Sequence, residues 1–196
     1  MRYGFVAFGI RTSFFLCDNE IMSEWVKQIK IIAIALFVVA ILFCLLYACT
    51  SESVFLTLSI TFGTTAYHFL MRLIIGFLLG NVLPLPKQWI KVSKAERKLY
   101  SLLKVKRWKA KLPTARPSSF DIRKKEAKKI YEASLRAEIG HEIIIILSFA
   151  PLFLCAFFGA ANVFLLTSIF STICDIPFVI IQRYNRPRYL KMIAFD

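Results

Sequence analysis

Two groups of ionisable side chains lie where the chain is otherwise apolar. His68 and Arg72 are four residues apart and therefore share one face of a helix. Glu138, His141 and Glu142 have i, i+3 and i+4 spacing, so the imidazole can contact either carboxylate. A carboxylate that fixes one tautomer of a histidine leaves the other ring nitrogen ready to take a proton from an alcohol. The spacing predicts His141 as a general base oriented by Glu138.

These side chains also have a structural interpretation, because a charge in hydrocarbon costs ~3 kcal/mol or more without a partner. Either glutamate could simply pair with Arg72 or a lysine, which would leave His141 as an interfacial residue. Asp175, in another apolar segment, could equally neutralise Arg72 in an ion pair. In the catalytic interpretation, Arg72 and His68 stabilise a developing oxyanion.

A third group is the arginine-rich sequence QRYNRPRYLK at residues 182–191. Arg183, Arg186 and Arg188, with Asn185 between them, could hold a phosphate or a carboxylate in bidentate fashion. The alternative is that these charges only fix the orientation of a neighbouring membrane span.

Several kinds of chemistry have no support in the sequence. There is no Gly-rich phosphate loop and no Gly-x-Ser-x-Gly motif. His141 and Glu142 begin an HExxH pattern, but Ile145 stands where the second zinc-binding histidine would be. None of the five cysteines forms a Cys-x-x-Cys pair. We therefore predict neither a metal nor a cofactor.

The composition indicates a membrane protein. Of the 196 residues, 58% are hydrophobic and only 19% are charged, against roughly 25% charged residues in soluble domains. The net charge of +14 implies an anionic partner. Because the basic residues flank the apolar runs, we predict anionic membrane lipid rather than nucleic acid as that partner.

The apolar runs predict an all-α, polytopic membrane protein with four transmembrane helices, since each is long enough to cross ~30 Å of hydrocarbon. The two short connections make two helical hairpins, and Pro151 predicts a kink in the third span. The predicted spans are residues 31–49, 54–80, 143–160 and 162–181.

The distribution of Lys and Arg predicts the orientation. Seventeen of the 26 lie between residues 81 and 141, four lie after residue 181, and the two hairpin turns hold none. The positive-inside rule then places both termini and the loop on the cytoplasmic side of the cell membrane. The predicted organisation is an N-terminal segment (1–30), a first hairpin (31–80), a basic amphipathic loop (81–142), a second hairpin (143–181) and a basic tail (182–196).

Two smaller predictions concern segment boundaries. Residues 1–21 are interpreted as an extension that contributes little, with Met22 as the alternative start. In the loop, Leu99, Leu102 and Leu103 recur among lysines at near-helical spacing. A second helix, capped by Ser119 or Asp121, is expected to run into the third span.

Three stretches resemble the glycosyl-diaponeurosporenoate acyltransferase family of the staphylococcal carotenoid pathway: KVKRWKAKLP (104–113), RAEIGHEIIIILS (136–148) and IPFVIIQRYNRPR (176–188). The resemblance covers about the C-terminal half. It implies a small membrane enzyme that esterifies a sugar of a glycosylated carotenoid with a fatty acyl group. The matching positions are Trp108, Lys109, Lys111, Arg136, Glu138, His141, Gln182, Arg183, Asn185, Arg186 and Arg188. Of these, we expect all except Lys111 and the catalytic pair of Glu138 and His141 to bind substrate. The resemblance implies acyl-CoA or an acyl-carrier protein as the donor, whose charge Arg72 and His68 could also stabilise.

The predicted function is a membrane-embedded O-acyltransferase that acts at the cytoplasmic leaflet on a lipid-like or glycosylated acceptor. One alternative is a non-catalytic membrane protein that binds a partner protein or anionic lipid through its basic loop. A weaker alternative is a small transporter or channel lined by His68, Arg72 and Asp175. The sequence specifies no acceptor, donor or oligomeric state.

Overall fold

The computed structural model describes residues 24–79, 91–112 and 126–194, and every regular element in these ranges is helical. The helices are α1 (Glu24–Thr50), α2 (Ser53–Leu78), α3 (Lys94–Leu102), α4 (Val105–Trp108), α5 (Ala127–Leu147), α6 (Cys155–Phe158) and α7 (Ala161–Ile193). One short 3₁₀ segment, Lys109–Lys111, follows α4, and another, Ala150–Leu154, precedes α6.

Four helical segments are long and apolar enough to cross a membrane, which confirms an all-α, multi-pass protein. They are Val26–Thr50, Ser53–Leu78, Ala127–Phe158 and Ala161–Ile193. Their large apolar side chains face outward, as expected of helices whose solvent is lipid. Examples are Phe37, Phe77, Phe153, Phe157 and Phe170.

The first hairpin, α1 with α2, packs closely because small residues meet at its interface. The Ser59 hydroxyl donates to the Ala40 carbonyl at 3.0 Å, and a Cβ at Gly63 would lie 3.8 Å from the Ala40 Cβ. Without a hydrophobic force between helices in lipid, such close approach and interhelical hydrogen bonding provide the association. Ser51, with φ of 58°, reverses the chain between the two helices.

The second hairpin is formed by α5, α6 and α7. Pro151 breaks the third span into α5, a 3₁₀ segment and α6, as predicted, because proline cannot continue the helical hydrogen-bond ladder. Gly159, with φ of 65°, then ends α6 in the left-handed region that glycine adopts without strain. The chain returns as α7, which continues unbroken through Pro177 and Pro187.

Helix α2 contacts the second hairpin near the middle of its membrane spans. The Tyr67 hydroxyl donates to the Leu147 carbonyl at 3.0 Å, and a Cβ at Gly140 would lie 3.4 Å from Leu79 Cδ1. Between α5 and α7, the Ser148 and Ser171 hydroxyls are 3.0 Å apart. These small and hydroxyl-bearing residues hold α2, α5 and α7 around a polar interior.

We call the end of the bundle where α1 and α5 begin and α2 and α7 end the basic end. Helix α3 lies at this end and begins with a capping box, in which Ser93 and Glu96 each bind the other's backbone amide. Helix α5 begins at Ala127 and runs without interruption into the third span, as predicted. The proposed caps Ser119 and Asp121 and the extension before Met22 lie outside the described residues.

The described structure differs from the predicted organisation at the end of the fourth span. Residues from Gln182 onward are not a separate tail, because α7 continues to Ile193. This extension brings the QRYNRPR sequence against α3 and α5, so its arginines become part of the folded bundle.

Candidate active site

Polar side chains form a stripe along α7. Ser168, Ser171, Asp175, Gln182 and Asn185 are separated by three, four, seven and three residues, so they lie on one face of the helix. This face points into the bundle, since Ser168, Ser171 and Asp175 are buried. The candidate active site is built where α2 and α5 approach the stripe.

Arg72 of α2 forms an ion pair with Asp175, whose side chain is 2% exposed. The guanidinium also donates to the Ser171 hydroxyl at 2.9 Å and to the His68 carbonyl at 2.8 Å. A charge at this depth needs such partners. The predicted structural ion pair between Arg72 and Asp175 is thus present, and its contacts favour a positioning role for Arg72.

His141 of α5 contacts the same carboxylate. Its Nδ1 lies 2.9 Å from Asp175 Oδ1, and its ring stacks on Phe178 with centroids 4.7 Å apart. The prediction that Glu138 orients His141 is therefore wrong in its partner, because the acid that orients the ring is Asp175. Sequence reasoning had treated Asp175 as a neutraliser of Arg72 or as the lining of a transport pathway, and not as a partner of His141.

The pairing with Asp175 determines the tautomer of a neutral His141. A carboxylate that is ion-paired with Arg72 can only accept hydrogen bonds, so the shared proton must be on Nδ1. Nε2 then carries the lone pair. The side chain is 25% exposed, which leaves the imidazole accessible to a substrate. The order Arg72–Asp175–His141 is the arrangement of a base with an oriented imidazole.

Glu138 has a different role from the predicted one. Its side chain is 1% exposed, and its two oxygens accept from Arg183 Nη1 at 2.9 Å and from Arg186 Nη2. Arg183 also contacts Glu96 of α3 at 2.7 Å. Two of the three arginines predicted to hold a phosphate are therefore neutralised by carboxylates of the protein. Their ion pairs join α3, α5 and α7.

His68 of α2 is 4% exposed, and neither of its ring nitrogens has a hydrogen-bond partner among the described residues. Its carbonyl accepts from Arg72, which places it one turn from the ion pair. A buried imidazole without a partner is costly, and such groups often contact a substrate. Its position beside Arg72 agrees with the predicted grouping of these two residues.

The third arginine, Arg188, lines an open cleft of about 620 Å³ at the basic end. We call this the basic cleft, since five of its lining residues are cationic. The cleft is formed by α3, α4 and the last turns of α7. Its lining residues are Val92, Arg97, Tyr100, Lys106, Lys109, Tyr184, Asn185, Pro187, Arg188 and Lys191.

Lys109, a predicted substrate-binding residue, is held in the wall of this cleft. Its Nζ donates to Asn185 Oδ1 at 2.9 Å and lies 4.9 Å from the centre of the Tyr184 ring. Partial burial and the neighbouring charges of Arg188 and Lys106 lower the pKa of the Lys109 ammonium. Crowded positive charge of this kind favours an anionic ligand.

The other predicted substrate-binding residues have structural contacts or are distant from the cleft. Gln182 accepts from the Ser134 hydroxyl at 2.7 Å and joins α5 to α7. The Trp108 indole donates to the Leu103 carbonyl at 2.9 Å and fixes the turn into α4. Arg136 is partly exposed on α5.

Sequence reasoning missed Phe178, Ser171 and the cleft residues Arg97 and Lys106. The sequence did contain a signal for Ser171 and Phe178. They lie four residues before and three residues after Asp175, and therefore share its face of the helix.

The family model described as glycosyl-4,4'-diaponeurosporenoate acyltransferase matches residues 86–195. Comparison with curated proteins and with solved structures gave no match. The matched range contains His141, Asp175 and the basic cleft, whereas Arg72 and His68 precede it. Since it covers more than half of the 196 residues, the chain belongs to the glycosyl-4,4'-diaponeurosporenoate acyltransferase family.

Proposed function

We propose that this membrane protein is an O-acyltransferase that moves a fatty acyl group from a thioester donor to a hydroxyl of a lipid-like or glycosylated acceptor at the cytoplasmic leaflet. The observation that carries the proposal is the contact of one buried carboxylate, Asp175, with both Arg72 and His141. Membership of an acyltransferase family supports the reaction class.

The reaction follows from the tautomer of His141. Nε2 removes the proton of the acceptor hydroxyl as its oxygen attacks the acyl carbonyl carbon, and Asp175 stabilises the resulting imidazolium. A carbon–oxygen ester bond forms and the carbon–sulfur bond of the thioester breaks. The leaving thiolate takes the proton back from Nε2, so that His141 is neutral again at the end of the cycle.

His68 is proposed to bind the oxygen on which charge develops. Both of its ring nitrogens lack a described partner, whereas Nη1 and Nη2 of Arg72 already donate to a backbone carbonyl, Ser171 and Asp175. A preorganised donor in a poorly hydrated site stabilises an oxyanion strongly. His68 therefore fits the oxyanion role better than Arg72, which positions the carboxylate.

The depth of the site suits an amphiphilic acceptor. Asp175 is seven residues before Gln182 on α7, which places it roughly 10 Å deeper in the bundle than Gln182, the first residue after the predicted fourth span. A hydroxyl near the boundary between headgroup and hydrocarbon can reach this depth while its lipid portion stays in the bilayer. The same depth keeps bulk water from the thioester.

The test measures the rate of acyl transfer by the His141→Ala variant. We expect turnover to fall by about 10²–10⁴-fold, the usual contribution of a general base, with normal expression and an unchanged elution profile in detergent. The assay compares esterified lipids from cells with and without the gene, and then follows labelled acyl thioester in purified protein. Lys98→Gln, an exposed change on α3, is the control and should retain full turnover. Unchanged turnover in His141→Ala would exclude this mechanism.

A further inference from the structure

We infer that the basic cleft binds the phosphate-bearing nucleotide of a coenzyme A thioester. This inference rests on the proposed function, because it assigns the donor of that reaction to a site. The sequence-based expectation placed the phosphates on Arg183, Arg186 and Arg188 together, and of these three only Arg188 lines the cleft. The other two guanidiniums are bound to Glu96 and Glu138, whereas Lys106, Arg188 and Lys191 line the open cleft.

The charge of the cleft favours several phosphates on one ligand. Five cations line it, and no carboxylate is among the described lining residues. Partial burial, together with repulsion by the charges of Arg188 and Lys106, lowers the pKa of the Lys109 ammonium. A ligand with closely spaced phosphates would relieve this repulsion and accept charge-assisted hydrogen bonds.

The cleft is preorganised by contacts among residues of the protein. Lys109 is fixed by the Asn185 side chain at 2.9 Å. Lys104, in the turn before α4, adopts the left-handed backbone conformation with φ of 50°. Beneath the cleft, Arg183 joins α3 to α7 through Glu96. A site that is already formed loses less conformational entropy when it binds.

The shape and the aromatic lining favour a nucleotide over a lipid headgroup. A cleft of about 620 Å³ lies within the range of small-molecule sites, roughly 300–1,000 Å³. Tyr100 and Tyr184 meet edge to face in its wall, with ring centroids 6.2 Å apart. Tyr100 is buried and Lys109 lies over one face of Tyr184, so the half-buried Tyr184 ring is the aromatic surface that can contact a purine, a group that a glycerophospholipid headgroup does not contain.

The cleft and the candidate active site are connected along one helix. Asp175 and Arg188 are 13 residues apart on α7, which corresponds to about 20 Å along its axis. Phosphates at Arg188 therefore require an extended linker between them and the reacting carbonyl at His141. The pantetheine arm of coenzyme A is such a linker, and it ends in the thioester sulfur.

The inference is tested by titrating the purified full chain, in neutral detergent, with coenzyme A and with pantetheine, which lacks the phosphates. Calorimetry should detect coenzyme A and not pantetheine. Arg188→Glu and Lys106→Glu should each weaken coenzyme A binding by about ten-fold or more, since each loses a charge-assisted contact and adds repulsion. The control Lys98→Glu, which makes the same charge change outside the cleft, should change affinity by less than about two-fold.

Three results would overturn the inference. Equal weakening by Lys98→Glu and Arg188→Glu would mean that only the net charge matters. Displacement of coenzyme A by soluble short-chain phosphatidylglycerol at similar concentration would identify a lipid headgroup site. Binding of an acidic acyl-carrier protein, without binding of coenzyme A, would identify a protein-docking surface.

A second readout separates this inference from the proposed function. The His141→Ala variant should bind coenzyme A with unchanged affinity, because it retains the cleft. If the wild-type chain binds coenzyme A through the cleft but transfers no acyl group, the proposed function fails while the cleft assignment stands. If acyl transfer occurs and coenzyme A does not bind, the assignment of the donor fails while the acyltransferase stands.

Discussion

Asp175 is a single carboxylate shared by two basic side chains. One oxygen pairs with Arg72 of α2 and the other contacts His141 of α5, while the carboxylate itself belongs to α7. The two contacts converge on one side chain, so that Arg72 holds the carboxylate in place and the carboxylate orients the imidazole. The candidate active site therefore depends on Asp175, a carboxylate whose burial is costly without these partners.

We predict that Asp175→Asn lowers the rate of acyl transfer by about 10³–10⁴-fold, as expected when a base has the wrong tautomer. The amide would donate to Nδ1 and so place the proton on Nε2, which removes the lone pair that accepts the substrate proton. The measurement is the turnover of purified protein across a range of pH. A rate within two- or three-fold of wild type would show that Asp175 does not orient a base.

Asp175→Asn also leaves Arg72 without its carboxylate, which can destabilise the fold by about 3–5 kcal/mol. The double variant Arg72→Gln, Asp175→Asn removes both charges and controls for this effect. We expect it to regain most of the thermal stability in detergent but none of the activity. Recovery of activity with stability would assign the pair a purely structural role.

Glu138 is predicted to act on stability. Glu138→Gln leaves Arg183 and Arg186 without their shared buried carboxylate, and we expect a loss of about 3–5 kcal/mol, seen as a lower unfolding temperature. Glu96→Gln removes a more exposed partner of Arg183 and should cost no more than about 1 kcal/mol. Equal effects of the two substitutions would contradict this assignment.

At the residue scale, the sequence indicated the acidic and basic groups but not their partners. Glu138 is close to His141 along the chain, whereas Asp175 is 34 residues away and reaches it only through the packing of α5 on α7. The same packing turns Glu138 toward Arg183 and Arg186. Local spacing fixes which side chains share a helix face, and it leaves open which neighbouring helix that face contacts.

At the scale of elements, α3 is docked to the end of α7 by the ion pair between Glu96 and Arg183. Burial opposes ionisation of Glu96, but hydrogen bonds from Ser93 and Arg183 outweigh it and lower the pKa of the carboxyl below its ordinary 4.5. A lowered pKa in the folded state stabilises this contact at all pH values above 4.5. That stabilisation is lost as the pH falls through the lowered pKa.

We therefore predict that acidification below pH 4.5 releases α3 from α7 before the spans unfold. Hydrogen exchange of the α3 amides, corrected for the intrinsic rate at each pH, should rise in this range. In Glu96→Gln the exchange should be faster already at neutral pH and should lack this acid dependence. An acid dependence that persists in Glu96→Gln would assign the effect to another group.

The elements themselves were largely predictable from the sequence. Uninterrupted apolar runs predicted the four spans, and Pro151 predicted the break after α5. The end of α7 was not predicted, because Lys and Arg after residue 181 indicate the edge of the hydrocarbon and not the end of a helix. Packing of α3 and α5 against these turns is what extends the helix into the basic end.

At the scale of the molecule, the candidate active site requires both hairpins. The second hairpin supplies His141 and Asp175, which lie within the family match, while α2 of the first hairpin supplies Arg72 and His68. The basic cleft is formed by α3, α4 and α7, all within the match. The first hairpin thus contributes side chains to the candidate active site but none to the described lining of the basic cleft.

The proposed cytoplasmic position of the cleft leads to a prediction about the whole chain. The basic loop and the last turns of α7 carry most of the Lys and Arg, and positive charge is retained on the cytoplasmic side. A donor made in the cytoplasm can then enter the cleft directly. The two hairpin turns, near Glu52 and Asn162, should face the opposite side of the membrane.

We test this orientation with single cysteines in a chain whose native cysteines are replaced by alanine. An impermeant maleimide added to intact cells should label Glu52→Cys and Asn162→Cys, while Lys98→Cys and Lys191→Cys should react only after the membrane is opened. All four positions are exposed in the described structure, so differences in labelling report the side of the membrane and not burial. Labelling of Lys191→Cys in intact cells would place the cleft outside and remove its access to a cytoplasmic thioester.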